Sequence, residues 1–239
     1  MSARVVGVDG CPAGWIAVSI AADGPLEPEI RIVPRFATLV EETRNAILAV
    51  DMPIGLPDFI GPLGRGPERP VRQKLGLRQS SVFSVPSRSA VMTADYRDAC
   101  AVASATSEPK RMVAKQCFHL FPRIREIDAL MTPALEARVF EVHPELAFWR
   151  LNGGAAMALP KKVKSRPNPA GLDERRVLLV AHGYAPQHLA RAPRGAGADD
   201  LLDAAVNALI ARRLFHGEAE SFPAEPARDA RGLRIAIWA

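Results

Sequence analysis

Three apolar segments of this chain end in an acidic residue, at positions where a carboxylate is difficult to bury. Asp9 ends Arg-Val-Val-Gly-Val-Asp, Asp51 ends Ala-Ile-Leu-Ala-Val-Asp, and Glu141 ends Ala-Arg-Val-Phe-Glu. Two further acids, Asp200 and Asp203, stand three residues apart in a helical pattern and therefore share a face. Carboxylates are rarely buried unless they are paired or bind a metal, so the set predicts one shared cation site.

The length of 239 residues suits one α/β domain, which we expect to span residues 1–239 with a cap subdomain inserted at about 52–137. The apolar runs are shorter than the ~20 residues of a membrane span, and the first residues do not have the pattern of a secretory signal. We therefore expect a cytoplasmic protein that does not bind membranes. Three cysteines without a Cys-x-x-Cys pair predict buried thiols, and the formal net charge of +5 weakly favours a polyanionic partner.

The first fifty residues predict the element order β-β-β-α-β. Apolar segments separated by Gly, Pro and Asp predict strands over residues 4–9, 14–21 and 29–34. An amphipathic pattern predicts a short helix over 36–45, and the apolar run 46–51 is typical of a buried parallel strand.

The segment 52–137 does not continue this regular succession of strands and helices. Its first part is rich in Pro and Gly and predicts a long irregular loop, followed by helical stretches at about 88–106 and 110–131. The remaining elements are predicted as a strand at 138–143, a helix at 144–151, a basic loop at 161–166, helices at 170–183 and 199–216, and a final strand at 233–238.

The carboxyl ends of parallel strands meet at one edge of a sheet, which is where open α/β sheets place their ligands. Two carboxylates about 4 Å apart repel by roughly 4 kcal/mol at an effective dielectric of about 20, so converging acids must take up protons or bind cations. Oxygen ligands suit Mg²⁺ or Mn²⁺, one or two ions, and we expect the metal ligands to be Asp9, Asp51, Asp200 and Asp203. Glu141 is predicted to complete a coordination shell or orient a water, and Asp199 to cap the last helix.

Other polar residues are candidates for substrate binding. His143 could position a proton, although a histidine hydrogen-bonded to backbone fits equally well. Lys161 and Lys162, with Lys164 and Arg166, could neutralise phosphates or form a solvated loop. Arg72 and Arg88 frame a hydroxyl-rich segment with Ser80 and Ser81, which could bind a phosphate or serve as a hinge of the cap.

Five motifs then occur in order along nearly the whole chain. They are Gly-Val-Asp-Gly-Cys-Pro-Ala-Gly-Trp at 7–15, Asp-Met-Pro-Ile-Gly-Leu-Pro at 51–57, Ser-Ser-Val-Phe-Ser-Val-Pro-Ser-Arg at 80–88, Glu-Val-His-Pro-Glu at 141–145 and Asp-Asp-Leu-Leu-Asp-Ala at 199–204. In these motifs the chain resembles a family of uncharacterised proteins predicted to be ribonuclease H-like nucleases. The resemblance implies a ribonuclease H-like fold, with a mixed five-stranded sheet, flanking helices and a helical, irregular insertion. The Asp-x-x-Asp-Ala pattern is also similar to that of Holliday-junction resolvases.

These observations favour a Mg²⁺- or Mn²⁺-dependent nuclease that acts on DNA or RNA. Two alternatives stay open. One is an ATP-binding phosphotransferase of the same superfold, for which Asn152-Gly153-Gly154 is the candidate second phosphate-binding turn. The other is a non-catalytic nucleic-acid-binding protein. The sequence also leaves open whether the chain is a monomer or a homodimer.

Overall fold

The computed structural model describes residues 3–239, which form a mixed α/β structure around one five-stranded sheet. The strands of this sheet are β1 Arg4–Cys11, β2 Gly14–Ala21, β3 Glu29–Val33, β4 Ile47–Val50 and β5 Val139–Glu141. Their order across the sheet is β3-β2-β1-β4-β5. The first three strands pair antiparallel, whereas β4 runs parallel to both β1 and β5.

Helices cover both faces of the sheet. They are α1 Phe36–Glu42, α2 Glu68–Leu75, α3 Arg88–Val91, α4 Tyr96–Ala105, α5 Lys115–Phe118, α6 Phe121–Leu130, α7 Pro144–Leu151, α8 Pro169–Ala181, α9 Pro186–Leu189 and α10 Ala198–Phe215. The predicted β-β-β-α-β order of the first fifty residues is confirmed by β1 to β3, α1 and β4. Within residues 3–239 we find no helix with the length and apolar character needed to cross a membrane.

The long helix α10 lies against the centre of the sheet, and every residue from 201 to 211 is buried. Gly7 of β1 makes this contact possible, because a Cβ atom there would lie 2.0 Å from the Ala208 nitrogen and 2.1 Å from the Ala204 oxygen. Asn207 also links α10 to β1, because its Nδ2 donates a hydrogen bond of 3.0 Å to the Val8 carbonyl. The position of α10 is therefore fixed directly by the backbone of β1.

The two faces of the sheet bury separate hydrophobic clusters. One cluster includes side chains from α7, α8 and α10. The other packs Val8 and Trp15 of the sheet with Ala99, Phe121 and Ile124 from the segment 52–137. The segment predicted as an inserted cap thus shares a hydrophobic core with one face of the sheet.

The interior of the segment 52–137 differs from the prediction. The stretch predicted as irregular contains α2 and a 3-10 helix, Gly76–Ser81. The stretch 88–106 is divided into α3 and α4, because Asp95 accepts hydrogen bonds from the Arg97 and Asp98 nitrogens and starts a new helix. The stretch 110–131 is likewise divided, and Pro122 stands in the first turn of α6, where its missing N–H costs no hydrogen bond.

Two small sheets complete the structure. The predicted basic loop forms a hairpin of β6 Lys162–Val163 and β7 Arg166–Pro167, with Lys164 and Ser165 at positive φ in its turn. The predicted last strand is present as β9 Arg234–Trp238, and it pairs antiparallel with β8 Ser221–Arg228. The sequence did not predict β8, because Pro223 and Pro226 argue against a strand. The three cysteines are free and buried, as predicted.

Candidate metal centre

Three carboxylates from separate elements meet at one edge of the sheet. Asp9 belongs to β1, Asp51 directly follows β4, and Asp203 lies on α10. One carboxylate oxygen of each residue lies within 4.8 Å of the corresponding oxygens of the other two. The parallel pairing of β1 and β4 brings the first two together, and the packing of α10 on the sheet adds the third.

Burial makes these carboxylates hard to ionise. Asp9 is 8% exposed and Asp203 is 4% exposed. Burial, followed by the charges of Asp51 and Asp203, raises the pKa of Asp9 well above its ordinary value. Burial is also the first cause that raises the pKa of Asp51 to about 8 and that of Asp203 to about 6. A cation that bound here would displace protons from the carboxylates.

Lys161, which directly precedes the β6–β7 hairpin, already places one positive charge at the site. Its ammonium forms an ion pair with Asp203, and it lies 3.9 Å from Glu145 Oε1. Glu145 in turn accepts hydrogen bonds of 2.6 and 2.8 Å from Nη2 of the buried Arg175. Across residues 3–239, the Lys161 pair is the one ion pair that any of the three clustered carboxylates makes.

The three carboxylates fit a divalent cation by charge and by donor type. Three ionised carboxylates and the Lys161 ammonium leave two negative charges, which one divalent ion would balance. The Oδ1 atom of Asp203 is buried and has no hydrogen-bond partner among the described residues, so a strong acceptor is left without a ligand. Carboxylate oxygens suit Mg²⁺ or Mn²⁺ better than zinc.

The two other acids at the start of α10 have different surroundings. Asp200 Oδ2 accepts a hydrogen bond of 2.8 Å from the Gly197 nitrogen, and burial raises the pKa of Asp200. Asp199 forms an ion pair of 2.5 Å with Lys162. The capping role predicted for Asp199 therefore falls to Asp200, which lies outside the three-carboxylate cluster.

Glu141 is engaged away from this cluster. Its carboxylate pairs with Arg65, whose Nη1 lies 3.0 Å from Oε2, and it accepts a hydrogen bond of 2.7 Å from the Ile54 nitrogen. Arg65 also donates from Nε to Glu68 Oε1 at 2.7 Å. Burial raises the pKa of Glu141 to about 7 despite the opposing charge of Arg65. The structure thus gives Glu141 an ionic partner that the sequence did not reveal, because Arg65 lies in the Gly- and Pro-rich stretch.

The two arginines predicted to bind substrate, Arg72 and Arg88, form hydrogen bonds and ion pairs within the protein. Arg72 donates to the Val82 carbonyl at 2.7 and 3.1 Å and to Ser84 Oγ at 2.9 Å. Arg88 pairs with two buried carboxylates, Asp128 and Asp229, each at 2.5 Å. The acidic partners of Arg88 could not be predicted from the sequence, because they lie far away along the chain, and the substrate-binding role of the two arginines stays a prediction.

Ser81 and His143 lie close together beside the centre, whereas the Ser80 residue is exposed. Ser81 Oγ donates to the Arg78 carbonyl at 2.8 Å, and His143 Nε2 lies 3.3 Å from the Ser81 carbonyl. Burial lowers the pKa of His143 to about 4, so the ring is neutral at physiological pH. Its Nδ1 atom is buried without a hydrogen-bond partner in residues 3–239.

A cavity of about 170 Å³ adjoins the carboxylates. Asp9 and Asp51 line one side of it, and the rest is formed mainly by the segment 81–85, by α6 and by the Arg65–Glu141 pair. Cys117 also lines the cavity, and burial raises the pKa of this thiol to about 12, so it is not a nucleophile at neutral pH.

Arg123 is a cavity residue that the sequence analysis missed. Its Nη2 donates to the Cys11 carbonyl at 2.5 Å, next to the end of β1. A Cβ atom at Gly10 would lie 2.6 Å from Arg123 Nε, so the glycine after Asp9 makes room for the guanidinium. A glycine directly after a strand-end acid was the available signal, but it did not identify the arginine that fills the space.

The fold and the centre together define a mixed α/β protein with a buried cluster of three carboxylates. The sequence model of a family described as "Protein of unknown function (DUF429)" matches residues 7–228, and the chain belongs to this family. The matched range contains all three clustered carboxylates. No curated protein and no solved structure matches the chain.

Proposed function

We propose that this protein is a metal-dependent nuclease in which Asp9, Asp51 and Asp203 hold Mg²⁺ or Mn²⁺. The observation that carries the proposal is the convergence of three carboxylate oxygens within 4.8 Å, together with a buried Asp203 oxygen that has no hydrogen-bond partner among residues 3–239. The antiparallel strands β1 to β3, followed by two parallel strands and a helix bearing Asp203, support a ribonuclease H-like fold. The likeness of the Asp-x-x-Asp-Ala pattern to Holliday-junction resolvases supports the same proposal.

The reaction is hydrolysis of a phosphodiester. A water adds to phosphorus, the bond from phosphorus to the leaving sugar oxygen breaks, and that oxygen takes up a proton, which leaves a phosphate monoester and a hydroxyl. A divalent ion bound by carboxylates supplies water activation and stabilises negative charge on the oxygens. Asp9, Asp51 and Asp203 would hold this ion in place, and the buried surroundings strengthen the electrostatic interactions between the ion and its ligands.

Lys161 and Arg123 supply positive charge on the protein side. The Lys161 ammonium is directly at Asp203, and Arg123 lines the cavity beside Asp9. The charge balance of the centre favours one divalent ion with Lys161 as the second cation, because another ion would add two further positive charges. Both side chains are placed to contact a phosphate that approaches the carboxylates.

The β6–β7 hairpin carries exposed basic residues next to the centre. Lys162, Lys164 and Arg166 are all exposed, and Lys162 is tied to Asp199 at the start of α10. A hairpin of this charge can neutralise the phosphates of a nucleic acid on either side of the bond that is cleaved. Binding should then weaken as the salt concentration rises.

The test is cleavage of single-stranded DNA, duplex DNA, RNA and a four-way junction with Mn²⁺ or Mg²⁺. We compare the wild type with Asp9→Asn, and Asp173→Asn is the matched control because Asp173 is an exposed aspartate on α8. Asp9→Asn should lower the cleavage rate at least 100-fold, and the control should cleave like the wild type. Equal rates for Asp9→Asn and the wild type would overturn the proposal. A thermal shift with Mn²⁺ but no cleavage of any substrate would favour the non-catalytic alternative.

The phosphotransferase alternative gains no support from its second glycine motif. Gly153 and Gly154 both have positive φ, and the Gly154 nitrogen donates to the Trp149 carbonyl at 2.9 Å. This arrangement ends helix α7, which is the ordinary role of glycine at a helix carboxyl terminus.

A further inference from the structure

The cavity beside the carboxylates is small, partly apolar and continuous with the candidate metal centre. Its volume of about 170 Å³ is below the roughly 300–1,000 Å³ of pockets that take drug-sized ligands, so it suits a group of one ring system. Asp9 and Asp51 stand at one end of the cavity. Val82, Phe83 and Ile124 form much of its apolar wall.

We propose that this cavity binds one unpaired nucleobase of the substrate, while the phosphate attached to the same nucleotide lies at Asp9, Asp51 and Asp203. The inference rests on the proposed nuclease function and names its substrate class. The protein acts on a nucleotide that is single-stranded or turned out of a duplex. A nucleobase in this cavity is separated from the other strand by the segment 81–85 and by α6.

The side chains of the cavity wall can pack against the flat faces of a nucleobase. Phe83 is partly buried and offers an aromatic ring, and stacking of a base on an aromatic side chain is favourable. Stacking tolerates any base, since every base has a π-face. Buried Val82 and Val85 also line the cavity and add apolar surface to its wall.

The polar groups of the cavity can bond the edge of a base. His143 Nε2 faces the Ser81 carbonyl and therefore carries the proton, which leaves Nδ1 as an acceptor without a partner among the described residues. Glu68 also lines the cavity; its Oε1 already accepts a hydrogen bond from Arg65, and its other oxygen, Oε2, can accept one from a ligand. Both groups accept hydrogen bonds, so they match the N–H donors on base edges. An acceptor left unpaired in a buried site is unfavourable, and a hydrogen bond from a base would remove that penalty.

Access to the cavity then requires an unpaired nucleotide. Turning a base out of a duplex costs a few kcal/mol, least for a mismatch or a strand that is already single. We therefore expect cleavage to decrease from single-stranded to mismatched to fully paired substrates.

The experiment measures binding of bases and phosphates separately, using the full chain and calorimetry. The probes are nucleosides against ribose without metal, and nucleoside 5′-monophosphates against ribose 5-phosphate with Mn²⁺. The base-containing member of each pair should bind at least tenfold more tightly. Equal binding within both pairs would overturn the inference about the cavity.

Two variants of one 3-10 helix give a matched comparison. Ser81→Phe places a ring in the cavity, and Leu77→Phe adds a ring at a position that is 84% exposed. Ser81→Phe should abolish the preference for the base, and Leu77→Phe should keep it. Phe83→Ala should weaken the preference without closing the cavity, so a misfolded Ser81→Phe variant would not decide the result. A preference kept in full by both Ser81→Phe and Phe83→Ala would overturn the inference.

The thermal shift with Mn²⁺ separates this inference from the proposed function. A wild type that is stabilised by Mn²⁺ and cleaves nucleic acid but ignores the base refutes the cavity proposal alone. A wild type that prefers nucleosides over ribose but shows neither an Mn²⁺ shift nor cleavage supports the cavity and refutes the nuclease assignment.

Discussion

The ammonium of Lys161 forms an ion pair with Asp203, although one residue precedes a hairpin and the other lies in the long helix α10. Lys161 opposes the effect of burial on both Asp203 and Asp51. The pKa of Asp203, at about 6, is lower than that of Asp51, at about 8, and Asp203 is the one that accepts the hydrogen bond from Lys161. This lysine therefore behaves as a counterion at the place proposed for a divalent metal.

Removal of the Lys161 charge should strengthen metal binding. Lys161→Met leaves Asp203 without its cationic partner, so we expect the affinity for Mn²⁺ to rise at least tenfold in calorimetry, about 1.4 kcal/mol. Nucleic-acid cleavage should fall at the same time, because a charge next to the phosphate is lost. Lys110→Met, a change at an exposed lysine between α4 and α5, is the control and should alter neither property. Unchanged Mn²⁺ affinity in Lys161→Met would show that the lysine does not compete with the ion.

The stability of the metal-free protein should fall as the pH rises from about 4 to 8. The pKa values of Asp51 and Asp203 are raised by folding, so the native state binds more protons than the unfolded state in this range. The contribution is therefore present at low pH and is lost as the pH passes the folded values of about 6 and 8.

Denaturant unfolding at pH 5, 6.5 and 8 with a chelator measures this slope, for which we expect a loss of about 1–3 kcal/mol. Asp51→Asn should reduce the slope. Saturating Mn²⁺ should stabilise the wild type most at pH 8, where its binding displaces the fewest protons. A metal-free protein that becomes more stable between pH 5 and 8 would contradict the raised pKa values.

Glu141 should prove important for stability and not for metal binding. Arg65→Met leaves Glu141 and Glu68 without their buried cation, and loss of one partner of a buried ion pair costs about 3–5 kcal/mol. Glu141→Gln should lower the free energy of unfolding but leave the Mn²⁺ affinity within about twofold. If Glu141→Gln instead abolishes Mn²⁺ binding in a fully stable protein, Glu141 is a metal ligand.

A surface pair provides the control for the Arg65 variant. Arg176 lies 2.5 Å from Asp173 on α8, and the two side chains are 28% and 66% exposed, far more than those of the Arg65 pairs. Arg176→Met should change the free energy of unfolding by less than about 1 kcal/mol.

Gly7 should tolerate no side chain. Gly7→Ala forces a methyl group into backbone atoms of α10 at 2.0 and 2.1 Å, so we expect a loss of about 3 kcal/mol or more. Thermal unfolding should show a decrease of about 2–4 °C for each kcal/mol. Gly61→Ala is the matched control, since no atom of the described residues lies within 4 Å of its Cβ position and its φ is not positive. Similar melting temperatures for the two variants would contradict the close backbone contact between α10 and β1 at Gly7.

The sequence predicted the elements whose local pattern is strong. Strand β2, at residues 14–21, was placed at its observed bounds because flanking glycine and proline turns limit an apolar segment. Asp9, Asp51 and Asp203 were identified because each joins an apolar segment, and burial of that segment carries the acid inward.

Pairings between distant residues could not be predicted in the same way. Arg65 and Glu141 are 76 residues apart, and the sequence around either residue does not predict that it pairs with the other. The sequence suggested Arg88 as a phosphate ligand and gave no sign that it pairs with Asp128 and Asp229. These pairings depend on tertiary packing, which a local stretch of sequence does not contain.

The contact between β1 and α10 at Gly7 has a consequence for how the centre can respond to a ligand. Backbone touches backbone there, so the spacing between Asp9 and Asp203 is set by the scaffold and has little freedom to adjust. Lys161, by contrast, comes from the short connection before a two-stranded hairpin. An incoming ion would therefore meet two carboxylates at a preset separation and one cation, Lys161, that can shift towards an arriving phosphate while it continues to balance the charge of the centre.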